Sequence, residues 1–358
     1  MIIKVIYSPV SISYYWLPIY LYNEPLSMRV LISAVELILY VFCFYVVTVN
    51  LRTFLKIRMF HQNFLILATP MFGLWYELIV AKLITMAYQT RLIGRQSVHI
   101  EEFLVLWTDD PHKMWVVDSL EGLEMLVIAG FIEWHYMFST IFGALSVCTE
   151  RMLAAMLIDN YESNDQLYIP SILTFLCQFL VISTSYLLLT YQIGIILANA
   201  IWISICILSV LMFYVFKWVN QSCQRRMEDP NRKQVFTVSQ RYQVKENLRT
   251  QKLANRLVFS VLFSIAICGS GILALILDLV PPALCHVTEN CLFLNPYLIC
   301  FVTMYSIPAW KTEFLKAFPV LRMTRKVRVE SVEPDADPSK RIELETHIYF
   351  EQLNKSWI

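Results

Sequence analysis

Charge is scarce in this 358-residue chain: Asp, Glu, Lys and Arg fill only 16% of positions, while 57% of residues are hydrophobic. Soluble domains carry roughly a quarter of charged residues, so a water-soluble globule is excluded for want of polar surface. Glycine is also scarce, at 8 residues, and forms none of the Gly-rich patterns that cradle nucleotide phosphates. Net charge is +1, which leaves no basic field to attract nucleic acid. His61, His99, His112, His135, His286 and His347 make neither an HExxH nor an HxxHH cluster, and Ser and His do not recur together at one face. No catalytic residue, metal or cofactor is therefore expected. A signal peptide is not expected either, because Pro9, Pro18 and Pro25 break Met1 to Ser27 and no small-residue cleavage site follows an apolar core. The first helix must act as its own insertion signal.

What the chain does have is apolar length. A helix needs about 20 mainly apolar residues to cross roughly 30 Å of hydrocarbon. Seven stretches qualify: Val30 to Val49, Phe64 to Tyr88, Leu123 to Val147, Ile169 to Tyr191, Ile193 to Trp218, Leu257 to Val280 and Leu292 to Ala309. The fourth and fifth are separated at Tyr191-Gln192-Ile193-Gly194, since one continuous run of about 50 residues would be twice a bilayer crossing. Cytoplasmic loops carry the excess of Lys and Arg. With the N-terminus outside, the inner segments hold 23 such residues and the outer ones 5, with Lys82 inside a span. The expected fold is an all-α membrane protein, a seven-transmembrane helix bundle with its N-terminus outside and C-terminus inside. Residues 1–29 form the extracellular N-terminus, 30–310 the bundle and 311–358 the cytoplasmic tail, which starts with a short amphipathic helix over Lys311 to Phe318. The sequons at Asn220 and Asn354 then face the cytosol.

Ionisable residues inside a span cost about 2.5–3.5 kcal/mol each, so they face the bundle interior and find partners. Glu36, Glu77, Lys82, Glu133 and His135 are of this kind. Glu77 and Glu133 lie at one depth, about 15 Å below the outer edge, where two carboxyls can share a proton or receive a cationic ligand group. Glu133 and His135 are about 200° apart around their helix, so one cleft cannot hold both. Three readings stay open for Glu36, Glu77, Glu133 and His135: interhelical ties, a small-molecule ligand pocket, or an ion relay. Lys82, near the outer end, is expected to snorkel to the interface.

Further signals lie in the loops. Glu150 and Arg151 stand side by side at the inner end of the third span, where such an ion pair can serve as a bistable switch or stay a solvated interfacial pair. The third inner loop carries ten basic side chains and a helical stretch from Ser239 to Arg256. Anionic membrane lipid and an acidic cytoplasmic partner are both open as its contacts. Cys43, Cys148, Cys177, Cys206, Cys268 and Cys300 sit in apolar runs as small buried hydrophobes. Cys285 and Cys291 share the third outer loop, where either a local disulfide or two free thiols is expected.

Three places resemble the nematode serpentine chemoreceptors, class epsilon (Sre) family. They are Tyr76-Glu77, Glu150-Arg151 followed by Asp159-Asn160-Tyr161-Glu162, and Ser239-Gln-Arg241-Tyr242-Gln-Val-Lys245-Glu246-Asn247. The last is similar to the LSxRYQxxEN signature of these receptors, with Val238 in place of leucine. The resemblance implies a G-protein-coupled receptor in the plasma membrane of chemosensory neurons or their cilia. Its partners would be a small environmental ligand and a heterotrimeric G protein. Glu150 and Arg151 would then be the switch, and Arg241, Tyr242, Lys245, Glu246 and Asn247 a docking element. Departures from rhodopsin-like receptors are plain: Met152 replaces the tyrosine after the arginine, no cysteine marks the outer end of span three, and Asn295-Pro296 lies at the outer end of span seven. The alternative from another class is a ligand-gated channel or carrier subunit, although no duplicated half is visible.

Overall fold

The computed structural model describes residues 1–7, 11–19, 25–57, 62–93, 112, 114–156, 168–228, 238–276, 279–281 and 284–318. Contacts divide the chain into Met1–Phe314, which carries the sheet and the membrane-length helices, and Leu315–Ile358. The helices are α1 (Leu26–Lys56), α2 (Gln62–Gln89), α3 (Glu124–Met156), α4 (Tyr168–Leu189), α5 (Ile195–Glu228), α6 (Val238–Ile276), α7 (Cys285–Phe293), α8 (Asn295–Ser306) and α9 (Pro308–Lys316). Six stretches among the described residues are helical, long and apolar enough to cross a membrane: Leu26–Lys56, Asn63–Gln89, Glu124–Met156, Tyr168–Leu189, Ile195–Met227 and Cys285–Ser306. Their outward faces are greasy. Ile203, Ile207, Leu211, Tyr214 and Trp218 run down one side of α5 and are each more than half exposed, the arrangement expected where lipid rather than water is the solvent.

Helix α3 is the central post, packed against α2, α4 and α5, while α1 lies on α2 and α8, and α6 on α7 and α8. Between α4 and α5 the chain reverses over residues 190–194, with Tyr191 in the left-handed region at φ 55°. At the other end of the bundle, α9 buries Trp310 and Phe314. The Trp310 ring nitrogen donates to the Ile57 carbonyl at 3.1 Å, and Lys56 of α1 pairs with Glu313.

The all-helical expectation needs one correction. Three strands, β1 (Ile2–Ile6), β2 (Ile12–Trp16) and β3 (Trp115–Val117), form a sheet in the order β2-β1-β3. β1 pairs antiparallel with β2 from Ile2↔Trp16 to Ile6↔Ile12 and parallel with β3 from Ile3↔Trp115 to Val5↔Val117. The residues explain it: β-branched and aromatic side chains dominate all three segments, and such side chains suit a pleated surface. Burial anchors the sheet. Met1, Ile3, Val5, Leu17 and Ile19 are fully buried and share one core with Leu126 and Phe138 of α3, Val181 and Leu188 of α4, and Ile205 of α5. Trp16 meets Trp134 edge to face at 4.9 Å, and the Trp134 ring nitrogen donates to the Trp16 carbonyl at 2.8 Å. The Met1 nitrogen donates to the carbonyls of Leu17 and Ile19 at 2.6 and 2.8 Å.

Close approach of this segment to α3 depends on a missing side chain. A methyl group on Gly130 would meet Leu17 Cδ2 at 2.3 Å and its Cβ and Cγ at 3.2 Å. Gly130→Ala is therefore expected to push the N-terminal segment off α3 at an overpacking cost of about 1–3 kcal/mol. Limited proteolysis checks this: cleavage within residues 1–24 should speed up several-fold, and an unchanged rate would mean that Leu17 simply rotates aside.

A second correction concerns the last span. Cys285 to Cys291, expected in a loop, lies in α7, and α7 and α8 together form the apolar helix pair Cys285–Ser306. No disulfide joins them, and Cys285 is buried while Cys291 is exposed. Of the two alternatives open for them, the local disulfide is ruled out, because six positions along a helix separate the two Cα atoms by about 9 Å in rise alone, beyond the reach of a disulfide.

Candidate functional site

Four helices each turn a polar stripe toward one place. On α2 it comprises Leu78, Lys82, Thr85 and Gln89, none more than 6% exposed. The corresponding stripes are Ser33, Glu36, Tyr40 and Cys43 on α1, Ala129, Glu133 and Tyr136 on α3, and Cys285, Glu289 and Phe293 on α7. Each follows the three- and four-residue spacing of a single helical face. All four charged members lie in the half of the bundle that holds the C-terminal end of α2 and the N-terminal end of α3.

Lys82 is the hub. Its Nζ lies 2.5 Å from Glu289 Oε1 and 3.7 Å from Glu133 Oε1, and it stands 4.8 Å over the Phe293 ring. The expectation that Lys82 snorkels outward is overturned: it is 2% exposed, held inside because two carboxyls meet it there. The chain neighbour of Glu289 extends the network. Asn290 Nδ2 donates to Glu36 Oε1 at 2.5 Å and to the His286 carbonyl at 2.8 Å, while Tyr40 donates its hydroxyl to Asn290 Oδ1 at 3.1 Å. His286 Nδ1 lies 3.8 Å from Glu36. Below, the Tyr136 hydroxyl donates to Asn295 Oδ1 at 2.5 Å. The cluster thus sets one lysine against three carboxyl groups with one imidazole beside them. Glu133 is fully buried, and neither of its carboxyl oxygens has a hydrogen-bond partner among the described residues. A buried charge without hydrogen bonds is costly, and the positive end of a ligand or a proton would relieve it.

Glu77 does not join Glu133. It points to the other side of α2, half exposed, where its Oε2 lies 3.2 Å from His135 Nδ1. The other ring nitrogen of His135 lies 3.3 Å from Gln178 Oε1 on α4. The single cleft expected for the two carboxyls is therefore replaced by two groups on opposite sides of α2 and α3. The angular argument that kept Glu133 and His135 apart describes what is seen.

At the far end of α3, Arg151 grips Glu150 with two bonds, Nε to Oε2 and Nη2 to Oε1, each 2.5 Å. The pair is buried, at 3% and 0% side-chain exposure, and the guanidinium lies 5.5 Å over the ring of Phe64 at the start of α2. A solvated interfacial pair is excluded by that burial. Asn247 is buried on α6, and one turn further along that helix Gln251 accepts from the Asn220 amide of α5 at 2.9 Å. Arg241, Tyr242, Lys245 and Glu246 lie on the same helix, their side chains outside the described residues. Asp159 to Glu162 lie outside the described residues.

Residues 1–358 match the family described as Sre G protein-coupled chemoreceptor. The chain belongs to this family. Among its relatives in Caenorhabditis elegans, serpentine receptor class epsilon-27 is 50% identical over 363 residues, covering 100% of both chains. Serpentine receptor class epsilon-33 is 48% identical over 346 residues, covering 96% of each, and class epsilon-32 is 44% identical over 362 residues, covering both chains in full. These relatives are named as receptors, which makes this an Sre chain of a multi-pass membrane receptor family and not of an enzyme family.

The sequence points to Glu36 and Glu133 in this Sre chain, but not to Tyr40, His286, Glu289 and Asn290 as members of the same network. The signal existed in the spacing of Cys285, Glu289 and Phe293, one residue per helical turn.

Proposed function

We propose that this chain is a chemosensory receptor of the plasma membrane that binds a small environmental molecule at the Lys82 cluster and activates a heterotrimeric G protein. α6 supplies the seventh crossing, since Leu257–Ile276 carries no charged residue. The Lys and Arg bias places the amino end outside, so the cluster faces the extracellular half and the Glu150–Arg151 fork the cytosolic end. The observation that carries the reading is Glu133, a buried carboxyl whose oxygens have no hydrogen-bond partner among the described residues, beside a lysine already engaged by Glu289. A ligand donor reaching Glu133 competes with Lys82 and changes how α2, α3 and α7 are tied. The signature on α6, with Asn247 at its end, supplies the cytosolic docking element, and chemosensory neurons or their cilia are the setting.

Calcium imaging of cells expressing the chain, against a panel of volatile and soluble compounds, tests the proposal. At least one compound should evoke a response that Glu133→Gln lowers by about tenfold or more in potency, the value of a hydrogen bond to a charged group, with surface expression retained. Agonist-dependent current in membranes without G proteins would instead support the channel reading.

A further inference from the structure

The Glu77 group lies outside the interior cluster. Glu77 falls midway along Asn63–Gln89, roughly 20 Å from either end at about 1.5 Å per residue, too deep for its short side chain to reach water. It stands on the outward stripe of α2 with Pro70, Gly73, Val80 and Leu83, all exposed. Half of its side chain is open. A carboxyl in this position is expensive against hydrocarbon, and the surrounding residues hold it in place rather than hide it. His135 of α3 braces it at 3.2 Å and is itself braced by Gln178 of α4 at 3.3 Å. Phe131, one turn from His135, stacks on the imidazole with its ring centre 6.3 Å away. One turn below Glu77, the position a Cβ would take on Gly73 has no atom of the described residues within 4 Å apart from its own helix backbone and chain neighbours. The result is a polar chain laid across α2, α3 and α4, with open space beside its acidic end and apolar surface around it.

We infer that Glu77, His135 and Gln178 form a membrane-facing binding site for an amphiphile with an N–H or O–H donor head and an apolar body, entering from the bilayer. The head donates to the open side of the Glu77 carboxyl, and the body lies along the outward faces of α2 and α4, where Ile172, Phe175 and Phe179 are more than half exposed. Two sources share this chemistry: a hydroxyl-bearing lipid resident in the membrane, and an environmental amine or alcohol that partitions into it. A second copy of the chain is the weaker occupant. A two-fold contact brings the same patch against itself, setting one carboxyl against another. The site depends on α2 to α4 lying in lipid and is independent of whether the Lys82 cluster binds ligand.

The test uses the full chain in phosphatidylcholine nanodiscs with three photoactivatable probes of one chain length, a hexadecyl amine, alcohol and methyl ether, with labelled positions read by mass spectrometry. The amine or the alcohol should label α2 and α4 around Gly73 and Phe175. Labelling should fall about tenfold in Glu77→Ala, the loss of one charge-assisted hydrogen bond. It should fall comparably in Gly73→Leu, which fills the open space without touching the acid, and persist in Glu133→Gln. Competition by cholesterol identifies a resident lipid as the source, and competition by octylamine or octanol a dissolved amphiphile. Equal labelling by the ether, labelling indifferent to Glu77→Ala, or failure of every competitor overturns the site. Ready disulfide crosslinking of Gly73→Cys chains into dimers also overturns it, assigning the face to a second copy.

Discussion

Replacing Lys82 by Met is expected to destabilise the bundle by about 3–5 kcal/mol, because removing one partner of a buried ion pair strands the other. Here two carboxyls are stranded, Glu289 at 2.5 Å and Glu133 at 3.7 Å, and both are at most 3% exposed. Methionine matches the stem of the lysine, so packing on Phe293 changes little and the loss is electrostatic. Thermal unfolding of the purified chain in detergent reads the effect, with fluorescence-detected size exclusion as a check on assembly. Restoring balance should restore stability: Lys82→Met with Glu289→Gln and Glu133→Gln ought to recover most of the loss, since buried ion pairs exchange for neutral groups at little net cost. If the single and triple variants melt alike, Lys82 is not what holds the two acids inside.

The second large effect belongs to the opposite end of α3. Arg151→Ala is expected to abolish agonist-driven nucleotide exchange on a reconstituted G protein, whereas Glu150→Gln should raise exchange without agonist by about tenfold, equivalent to about 1.4 kcal/mol. Both follow from the fork. Its two 2.5 Å bonds in a buried setting hold the guanidinium against its neighbour and over Phe64, a geometry that a charge-neutral amide cannot match. Weakening the acid frees the arginine for a partner, and deleting the arginine leaves nothing to offer. Arg151→Lys separates charge from shape: it keeps the cation but loses the planar fork and should fall between the two. Exchange rates equal to the unaltered chain in all three variants, with normal surface levels, would remove the pair from signalling.

Much of the helical layout could be read from hydropathy, because a span declares itself by length alone. The division of the apolar run at Tyr191 and the inward set of Glu36 and Glu133 were legible for the same reason: a turn residue and an intramembrane charge are local facts. What escaped was pairing at a distance. Lys82 looked like a snorkelling residue because it sits near a helix end, and its actual fate is decided by Glu289, more than 200 positions away. Glu289 was itself obscured, since His286, Thr288, Glu289 and Asn290 are polar enough to resemble a loop, though they occupy the inner face and flanks of α7. The sheet escaped in part for a related reason. The parallel partner of β1 at Trp115 to Val117 comes from the far side of two helices, and no local pattern announces such a match. The neighbour of Glu77 was not legible, because rotation about a helix follows from what packs against it, here His135 of α3.

The short helix α7 meets α8 at a one-residue joint, Leu294. Two consecutive residues near its middle are held by different neighbours, Glu289 by α2 and Asn290 by α1, while the Tyr297 hydroxyl on α8 stays fastened to the Leu39 carbonyl. A tilt of α7 about the joint would strain both grips, so the pitch of this one short helix is pinned to α1 and α2 alike.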